Sequence, residues 1–202
     1  MKHSFHRGSL ALDFIGTLGL RRSAGPLERI GGAEEFTRWL REARLLGEGA
    51  SANEQQRVRA IELREALARI AIALLAEEPP ARRDLSTLNA FARETRLGAT
   101  ILGTALEPRR ETRAPVPYAL AAVASDAVRV FSTGRKRLSR CEHDDCGAFI
   151  LSNGRGEKRR WCSMESCGNR AKVAAHRKRR SGAARRGAPA VARGGTDPVA
   201  HQ

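Results

Sequence analysis

All four cysteines of this 202-residue chain lie between residues 141 and 167, and their spacing is typical of a metal site. They form two pairs, Cys141-x4-Cys146 and Cys162-x4-Cys167, and 15 residues separate the pairs. Four thiolates in two pairs can close a tetrahedral shell around Zn²⁺, and a closed shell leaves no position for a reactive water. The spacing therefore predicts one structural zinc ion with these four cysteines as its ligands.

Two other interpretations of the cysteines stay open at this stage, a disulfide or thiol-redox pair and a set of inert buried thiols. Zinc is favoured because an intracellular chain keeps its thiols reduced. His143 lies inside the first loop and could replace one cysteine, although an exposed loop histidine is the simpler interpretation. Zinc also explains how a module of about 40 residues with few large apolar side chains could fold, because structural zinc supplies roughly 10–16 kcal/mol in finger peptides.

The charge of the chain is concentrated around and after the cysteines. Residues 133–202 have 17 Lys/Arg and 6 Asp/Glu, which gives +11 of the net charge of +15. This coincidence with a metal module favours a nucleic-acid partner over a solvated basic surface that only aids solubility. A helix that follows Cys162 would present six basic side chains to phosphates: Arg170, Lys172, Arg177, Lys178, Arg179 and Arg180.

Hydrophobic periodicity predicts that the residues before the cysteines form a helical domain. The apolar segment 10–18 fits a short helix or a strand, and residues 99–114 predict a short hairpin. Ser51 and Glu54 have the spacing of a capping box at the start of the longest helix, and Asp84 or Ser86 could cap the next. Helices are predicted at 33–46, from 54 to before Pro79, from 84 or 86 to about 97, and at 117–131 with Gly134 just past its end.

The cysteine module itself predicts a hairpin and a helix. Residues 147–158 predict a short hairpin with Asn153-Gly154 at its turn, and residues 164–180 predict the helix that carries the last cysteine. This is treble-clef-like geometry. After residue 180 the Gly/Ala/Pro/Arg-rich sequence predicts disorder. The expected fold is mainly α, with an α-rich domain at 1–133, a zinc finger at 134–180 and a disordered basic tail at 181–202.

The stretch Trp161-Cys-Ser-Met-x-x-Cys167-Gly-Asn-Arg170 resembles the CGNR zinc-finger family of bacterial proteins, which is named after the tetrapeptide at 167–170. The N-terminal part is similar to the companion ABATE domain through the segment LALDFIGTL. The resemblance covers residues 9–180 and implies a stress-linked transcription regulator. By position it implies zinc ligation by the four cysteines and a signature turn at Gly168 and Asn169. The chain departs from the family pattern at Gly16, where many relatives have Asn.

The leading functional hypothesis is a DNA-binding transcription regulator whose N-terminal domain binds a small-molecule effector or forms a homodimer. The alternative is an RNA- or ribosome-associated zinc protein. It is less favoured because RNA recognition uses exposed aromatic rings for base stacking, and the only aromatic residues nearby, Trp161 and Phe149, are expected to be buried. An enzyme is not expected, since the chain has no nucleotide-binding glycine loop and no HExxH motif. No signal peptide and no membrane-spanning run is evident, so we expect a cytoplasmic protein.

Overall fold

The structure is a computed structural model, and it describes residues 3, 5–47, 49–94, 100–101, 108–109, 115–152 and 158–186. Helices dominate these residues, as predicted. The helices are α1 (Leu10–Ile15), α2 (Ala33–Glu42), α3 (Glu54–Leu75), α4 (Arg82–Arg93), α5 (Pro115–Thr133) and α6 (Asn169–Arg186). A 3₁₀ turn occupies Arg135–Arg137, and a π-helical turn at Met164–Gly168 leads into α6.

Among the described residues, six short strands form three separate antiparallel pairs, β1 with β2, β3 with β4 and β5 with β6. They are β1 (Leu18–Gly19), β2 (Leu27–Glu28), β3 (Thr100–Ile101), β4 (Pro108–Arg109), β5 (Leu138–Arg140) and β6 (Phe149–Leu151). The pairing of β3 with β4 falls inside the predicted hairpin at 99–114, most of which lies outside the described residues. The ambiguous segment at 10–18 is helical in its first six residues.

The start of α3 differs from the prediction. Asn53 caps the helix: its side chain accepts a hydrogen bond from Gln56 N at 2.9 Å, and Gln56 Oε1 accepts one from Asn53 N at 3.0 Å. The capping box predicted at Ser51 and Glu54 was therefore wrong by two residues. Asn is as good an N-cap as Ser, and Gln at the third helical position completes the reciprocal pair.

The start of α4 also differs. The helix begins at Arg82, so neither Asp84 nor Ser86 caps it, and the N-cap residue Ala81 offers no side-chain acceptor. Asp84 lies in the first turn, where its buried carboxylate accepts hydrogen bonds from Arg69 of α3, the shorter at 2.7 Å. An acidic residue in the first turn complements the helix dipole, so Asp84 stabilises the helix without capping it.

A single apolar core joins the N-terminal helices to the β5–β6 hairpin. Phe14 of α1 and Trp39 of α2 are both buried at its centre, with their ring centroids 5.0 Å apart. Leu138, Phe149 and Leu151 of the hairpin are buried in the same cluster. Full burial of such a side chain stabilises the fold by roughly 1.5–3 kcal/mol. The hairpin therefore packs against the N-terminal helices. The domain boundary predicted at residue 133 did not anticipate this shared core.

The hairpin lies earlier in the chain than predicted. Strand β6 pairs with β5, so that Leu138 faces Leu151 and Arg140 faces Phe149. The pairing of β6 with β5 was not predicted. The turn at 153–154 and most of the second half of the hairpin predicted within residues 147–158 lie outside the described residues, so that part stays a prediction. The loop between β5 and β6 carries the first cysteine pair, as treble-clef-like geometry requires.

The C-terminal helix is longer than predicted. It continues past residue 180 to Arg186, and residues 187–202 of the predicted tail lie outside the described residues. Among the described residues, no helix combines the length and the apolar character that crossing a membrane requires.

Candidate metal centre and the basic helix

The four cysteine sulfurs converge on one point. Their Sγ atoms all lie within 4.8 Å of one another, with Cys146 and Cys162 3.6 Å apart and Cys162 and Cys167 3.5 Å apart. A tetrahedral zinc site with Zn–S bonds of about 2.3 Å places its sulfurs about 3.8 Å apart. A disulfide would need about 2.05 Å, and all four thiols are free. The geometry suits one zinc ion and excludes a disulfide among these cysteines.

The local backbone explains how the four sulfurs meet. Cys141 follows β5 directly, and its N–H donates to Ala148 O at 2.8 Å across the loop. The loop closes through Gly147, which has a φ of +64° that other residues rarely adopt. Cys162 N donates to Cys141 Sγ at 3.5 Å. Cys167 lies in the π-helical turn, where Gly168 N donates to Ser163 O at 2.9 Å, five residues back. The wider π turn places Cys167 opposite the other three cysteines.

The cluster is shielded by apolar side chains. Cys141, Cys162 and Cys167 are buried, and Ile150, Ala148 and Trp161 pack around them. Trp161 packs against the cysteine cluster, and the Arg160 guanidinium covers its ring at 5.3 Å from the centroid. A Cβ at Gly168 would lie 2.9 Å from Met164 Sδ and 3.4 Å from the Trp161 ring, which explains why glycine follows the last cysteine.

The thiols cannot all ionise without a cation. The hydrogen bond with the Cys146 thiol lowers the pKa of Cys141, and the same hydrogen bond raises the pKa of Cys146 to about 11. Hydrogen bonds with Cys141 and Cys146 also raise the pKa of Cys162. One thiolate therefore suppresses the ionisation of its neighbours. A divalent ion would reverse this, because it stabilises all the thiolates together, so the donor set fits zinc.

His143 does not join the cysteines. Among the described residues the group of converging ligand atoms comprises the four sulfurs alone. The His143 backbone contributes instead, because its C=O accepts a hydrogen bond from Cys146 N at 3.1 Å. The side chain is half-buried, and its Nδ1 has no hydrogen-bond partner among the described residues. The interpretation of His143 as a loop residue rather than a ligand is consistent with this geometry.

Residues of the N-terminal domain contact the metal loop, residues 141–148, through backbone hydrogen bonds. Arg21 N donates to Cys146 O and Arg22 N donates to Asp145 O, both at 3.2 Å. The Arg21 guanidinium is fixed in turn by Glu65 of α3 at 2.8 Å and by Ile15 O at 3.1 Å. Sequence reasoning missed these residues, since backbone contacts between segments more than 120 residues apart leave no pattern in the sequence.

Further contacts join the N-terminus to the second half of the metal module. Leu151 N donates to Arg7 O at 2.7 Å, and Arg159 Nη1 donates to His6 O at 2.9 Å. Arg159 Nη2 donates to Cys162 O at 2.8 Å. Arg159 therefore links the N-terminal segment to the second cysteine pair.

Gly16 accommodates a buried arginine. A Cβ at Gly16 would lie 2.3 Å from Cζ of Arg7. The Arg7 guanidinium lies 3.5 Å from the Asp13 carboxylate, and Arg7 N donates to Asp13 Oδ1 at 3.0 Å. Burial raises the pKa of Asp13 to about 6 in spite of these contacts. Any residue larger than glycine at position 16 would displace the Arg7 guanidinium.

Helix α6 continues directly from the π-helical turn and carries all six basic residues predicted to bind nucleic acid. Arg170, Lys172, Arg177 and Arg179 are exposed. So are residues 173–176, which cover every direction around the helix axis. The sequence Asn169–Arg186 contains eight Lys/Arg and no Asp/Glu. In the part of the chain that the structure describes, every side chain of α6 from residue 172 to residue 177 is therefore exposed, and no face of the helix is buried there.

A helical domain joined to a four-thiol cluster and a basic helix defines a zinc-finger protein. Residues 8–134 match the ABATE family, which is described as "Putative stress-induced transcription regulator". Residues 137–180 match the CGNR zinc finger. The first match spans more than half of the chain, so the chain belongs to the ABATE family and ends in a CGNR zinc finger. None of the curated proteins matches the sequence.

These matches confirm the resemblance inferred from the sequence and agree with the thiol geometry. The protein binds one structural zinc ion, and neither matched family is an enzyme family. Zinc in a closed thiolate shell supplies folding free energy rather than a reactive water.

Proposed function

We propose that the protein is a DNA-binding transcription regulator in which Cys141, Cys146, Cys162 and Cys167 hold zinc, and α6 contacts duplex DNA. One observation supports this above all. A basic helix of 18 residues extends from the thiol cluster, and its described side chains from Lys172 to Arg177 are exposed and bury no apolar face. A helix without an apolar face gains no stability from burial against the rest of the protein. It needs a polar or charged partner, and a polyanion fits its charge.

The helix has dimensions that suit a DNA groove. Its 18 residues span about 27 Å at 1.5 Å per residue. The major groove is about 12 Å wide and admits one helix. Arg170 and Lys172 lie next to the metal centre and fix the register of the helix on the phosphates. Arg177, Lys178, Arg179 and Arg180 lie two turns further along and extend the contact.

Duplex DNA is a better partner than single-stranded RNA for this module. Sequence-specific RNA recognition uses exposed aromatic rings on which unpaired bases stack. Phe149 is 1% exposed, and Trp161 is half-buried beneath Arg160. Within the described part of the finger, no aromatic ring offers a free face to a base.

The N-terminal helices would control the position of α6. The β5–β6 hairpin is buried in their core, and the Arg21 and Arg159 contacts reach both cysteine pairs. A ligand or a second copy that shifts this domain would therefore shift the metal loop as well. This supports a sensing or dimerisation role for residues 1–133.

The test is fluorescence anisotropy with labelled duplex DNA across a range of salt concentrations around 0.15 M. The variant Lys172→Gln/Arg177→Gln/Arg179→Gln removes three exposed charges from α6. We expect a loss of affinity of at least tenfold and a salt slope smaller by about 2–3, since each phosphate contact contributes about 0.9. The matched control, Arg38→Gln/Arg82→Gln/Arg93→Gln, removes three exposed charges from α2 and α4 and should change neither quantity.

Two further measurements separate the proposal from its competitors. Zinc-loaded protein and the Cys162→Ser variant are compared on the same duplex; equal affinity would mean that the basic tail alone binds, and the proposal would be wrong. Selection from random duplex DNA, with single-stranded RNA as competitor, then tests specificity. An enriched palindrome would show that a dimer recognises two half-sites. If the protein bound the RNA in preference to the duplex, RNA rather than DNA would be its partner.

A further inference from the structure

The finger and the N-terminal domain leave a groove between them, which we call the seam groove. It has a volume of about 510 Å³ and lies between the last turn of α3 and strand β5. Small-molecule sites commonly have volumes of 300–1,000 Å³ and often lie between domains. The groove is separate from the thiol cluster and from α6.

One side of the seam groove is apolar. Ile72, Leu75 and Ala76 of α3 line it together with Leu138 of β5. Leu138 is fully buried beneath the groove, whereas Ile72 is 45% exposed. Ile72 therefore presents apolar surface to water at a concave part of the described protein surface. An aliphatic or aromatic ligand would remove this surface from water.

The other side of the seam groove is cationic. Arg140 and Lys158 line it, and neither forms an ion pair with a carboxylate in the part of the chain that the structure describes. Arg140 uses its Nε to donate to Gly147 O at 3.3 Å. Ser139, between them in the lining, donates its hydroxyl to Arg159 O. Within the described residues, two positive charges therefore lie beside an apolar wall and no carboxylate pairs with either of them.

The groove between α3 and α4 provides a contrast. It is larger, about 630 Å³, and it also has apolar residues in its wall. Four of its five charged lining residues, however, already pair within the protein, because Arg69 and Arg83 lie at Asp84 and Glu65 binds Arg21 at 2.8 Å. The fifth, Glu62, is acidic, so the α3–α4 groove does not favour an anionic ligand as the seam groove does.

We propose that the seam groove binds a small apolar carboxylate, with its hydrocarbon part on Ile72 and Leu75 and its carboxylate between Arg140 and Lys158. A medium-chain fatty acid has this chemistry. Such a ligand would contact α3 and β5 at once, so it would stabilise the packing of the finger on the N-terminal domain. The proposal does not depend on DNA binding, since ligand binding is measured directly.

The first test is calorimetric titration of the zinc-loaded full-length chain with decanoate, below its micelle-forming concentration. Decyltrimethylammonium, which has the same chain and the opposite charge, is the ligand control. We expect saturable binding of decanoate and at least tenfold weaker binding of the cation. No saturable binding of decanoate, or equal binding of both amphiphiles, would overturn the proposal.

The second test uses variants matched for exposure and charge. Ile72→Asp puts a negative charge into the groove, and Val58→Asp does the same at an equally exposed position of α3 outside it, since both residues are 45% exposed. Lys158→Gln is matched by Lys172→Gln on α6. We expect decanoate binding to weaken more than tenfold in Ile72→Asp and about fivefold in Lys158→Gln, with both controls within twofold of wild type.

Anisotropy with duplex DNA completes the test. If Lys158→Gln weakened DNA binding while leaving decanoate binding unchanged, the cations of the seam groove would be phosphate contacts, and the proposal would be wrong. Equal effects of Ile72→Asp and Val58→Asp on decanoate would likewise place the ligand elsewhere. Circular dichroism of each variant shows whether its fold is retained.

Discussion

The two halves of the zinc finger differ in how far their side chains are buried. The β5–β6 hairpin is buried in the core of the N-terminal helices through Leu138, Phe149 and Leu151. Helix α6 is exposed, and its described side chains from Lys172 to Arg177 are not part of any apolar core. The thiol cluster is the junction, because the first cysteine pair lies in the hairpin loop and the second leads into α6. The comparison indicates that the hairpin depends on apolar burial, whereas the position of α6 depends on zinc.

Removal of zinc should have the largest effect and should separate the two halves. We expect chelation, or Cys162→Ser, to abolish the ordering of α6, because structural zinc contributes on the order of 10 kcal/mol. The amides of β5 and β6 should keep most of their protection, since Leu138 and Leu151 stay in the core. Hydrogen exchange measured by mass spectrometry checks both regions in one experiment. Equal loss of protection in the hairpin and in α6 would contradict the division.

Truncation of the shared core should have the next largest effect. Leu138→Ala leaves a cavity at a fully buried position, and such changes cost about 2–5 kcal/mol. Trp39 reports on the N-terminal core and Trp161 on the metal site, so urea unfolding followed by fluorescence of single-tryptophan variants monitors each region. We expect both midpoints to fall together, because the hairpin belongs to both regions.

The control for this variant is Val173→Ala at a 43% exposed position of α6. Such a surface change should alter the free energy of unfolding by less than about 0.5 kcal/mol. A Leu138→Ala protein in which only the Trp161 transition moved would show that the finger unfolds alone.

Asp13 gives a smaller effect with a defined pH dependence. Burial raises its pKa from 3.8 to about 6, so the folded state binds more protons than the unfolded state between these values. Stability from this group is therefore present below about pH 4 and is lost as the pH rises through about 6. Relative to Asp13→Asn, wild type should lose up to about 3 kcal/mol from pH 4 to pH 7.

Urea unfolding of both proteins at several pH values measures this difference. The titration of His6, whose pKa is lowered by burial, is present in both proteins and cancels. The Asn side chain can still accept the hydrogen bond from Arg7 N, so the comparison isolates the charge. A difference that stays constant with pH, or that grows in favour of wild type above pH 6, would contradict the assignment.

The sequence predicted the features that depend on neighbouring residues and missed those that depend on distant ones. The four cysteines, the long helices and the basic helix all follow from local spacing, and the structure has them. The pairing of β6 with β5 was missed because it depends on the packing of Leu138 and Leu151. Both side chains pack into a core formed mostly by residues before 133. The Arg21 and Arg22 contacts were missed because they use backbone atoms. The cap of α3 was missed because two adjacent cap patterns competed.

The contacts of Arg21 with the metal loop should give the smallest effect, and they test whether the N-terminal domain tunes the zinc site. Arg21→Ala keeps the backbone bond to Cys146 O but removes the bonds to Glu65 and Ile15 O that fix the loop. We expect zinc affinity to fall about fivefold, or about 1 kcal/mol, as competition with a chromogenic chelator would show. Arg38→Ala, an exposed arginine on α2, is the control. If both variants held zinc as tightly as wild type, the metal loop would be independent of the domain that surrounds it, and the coupling between the two regions would rest on the hairpin core alone.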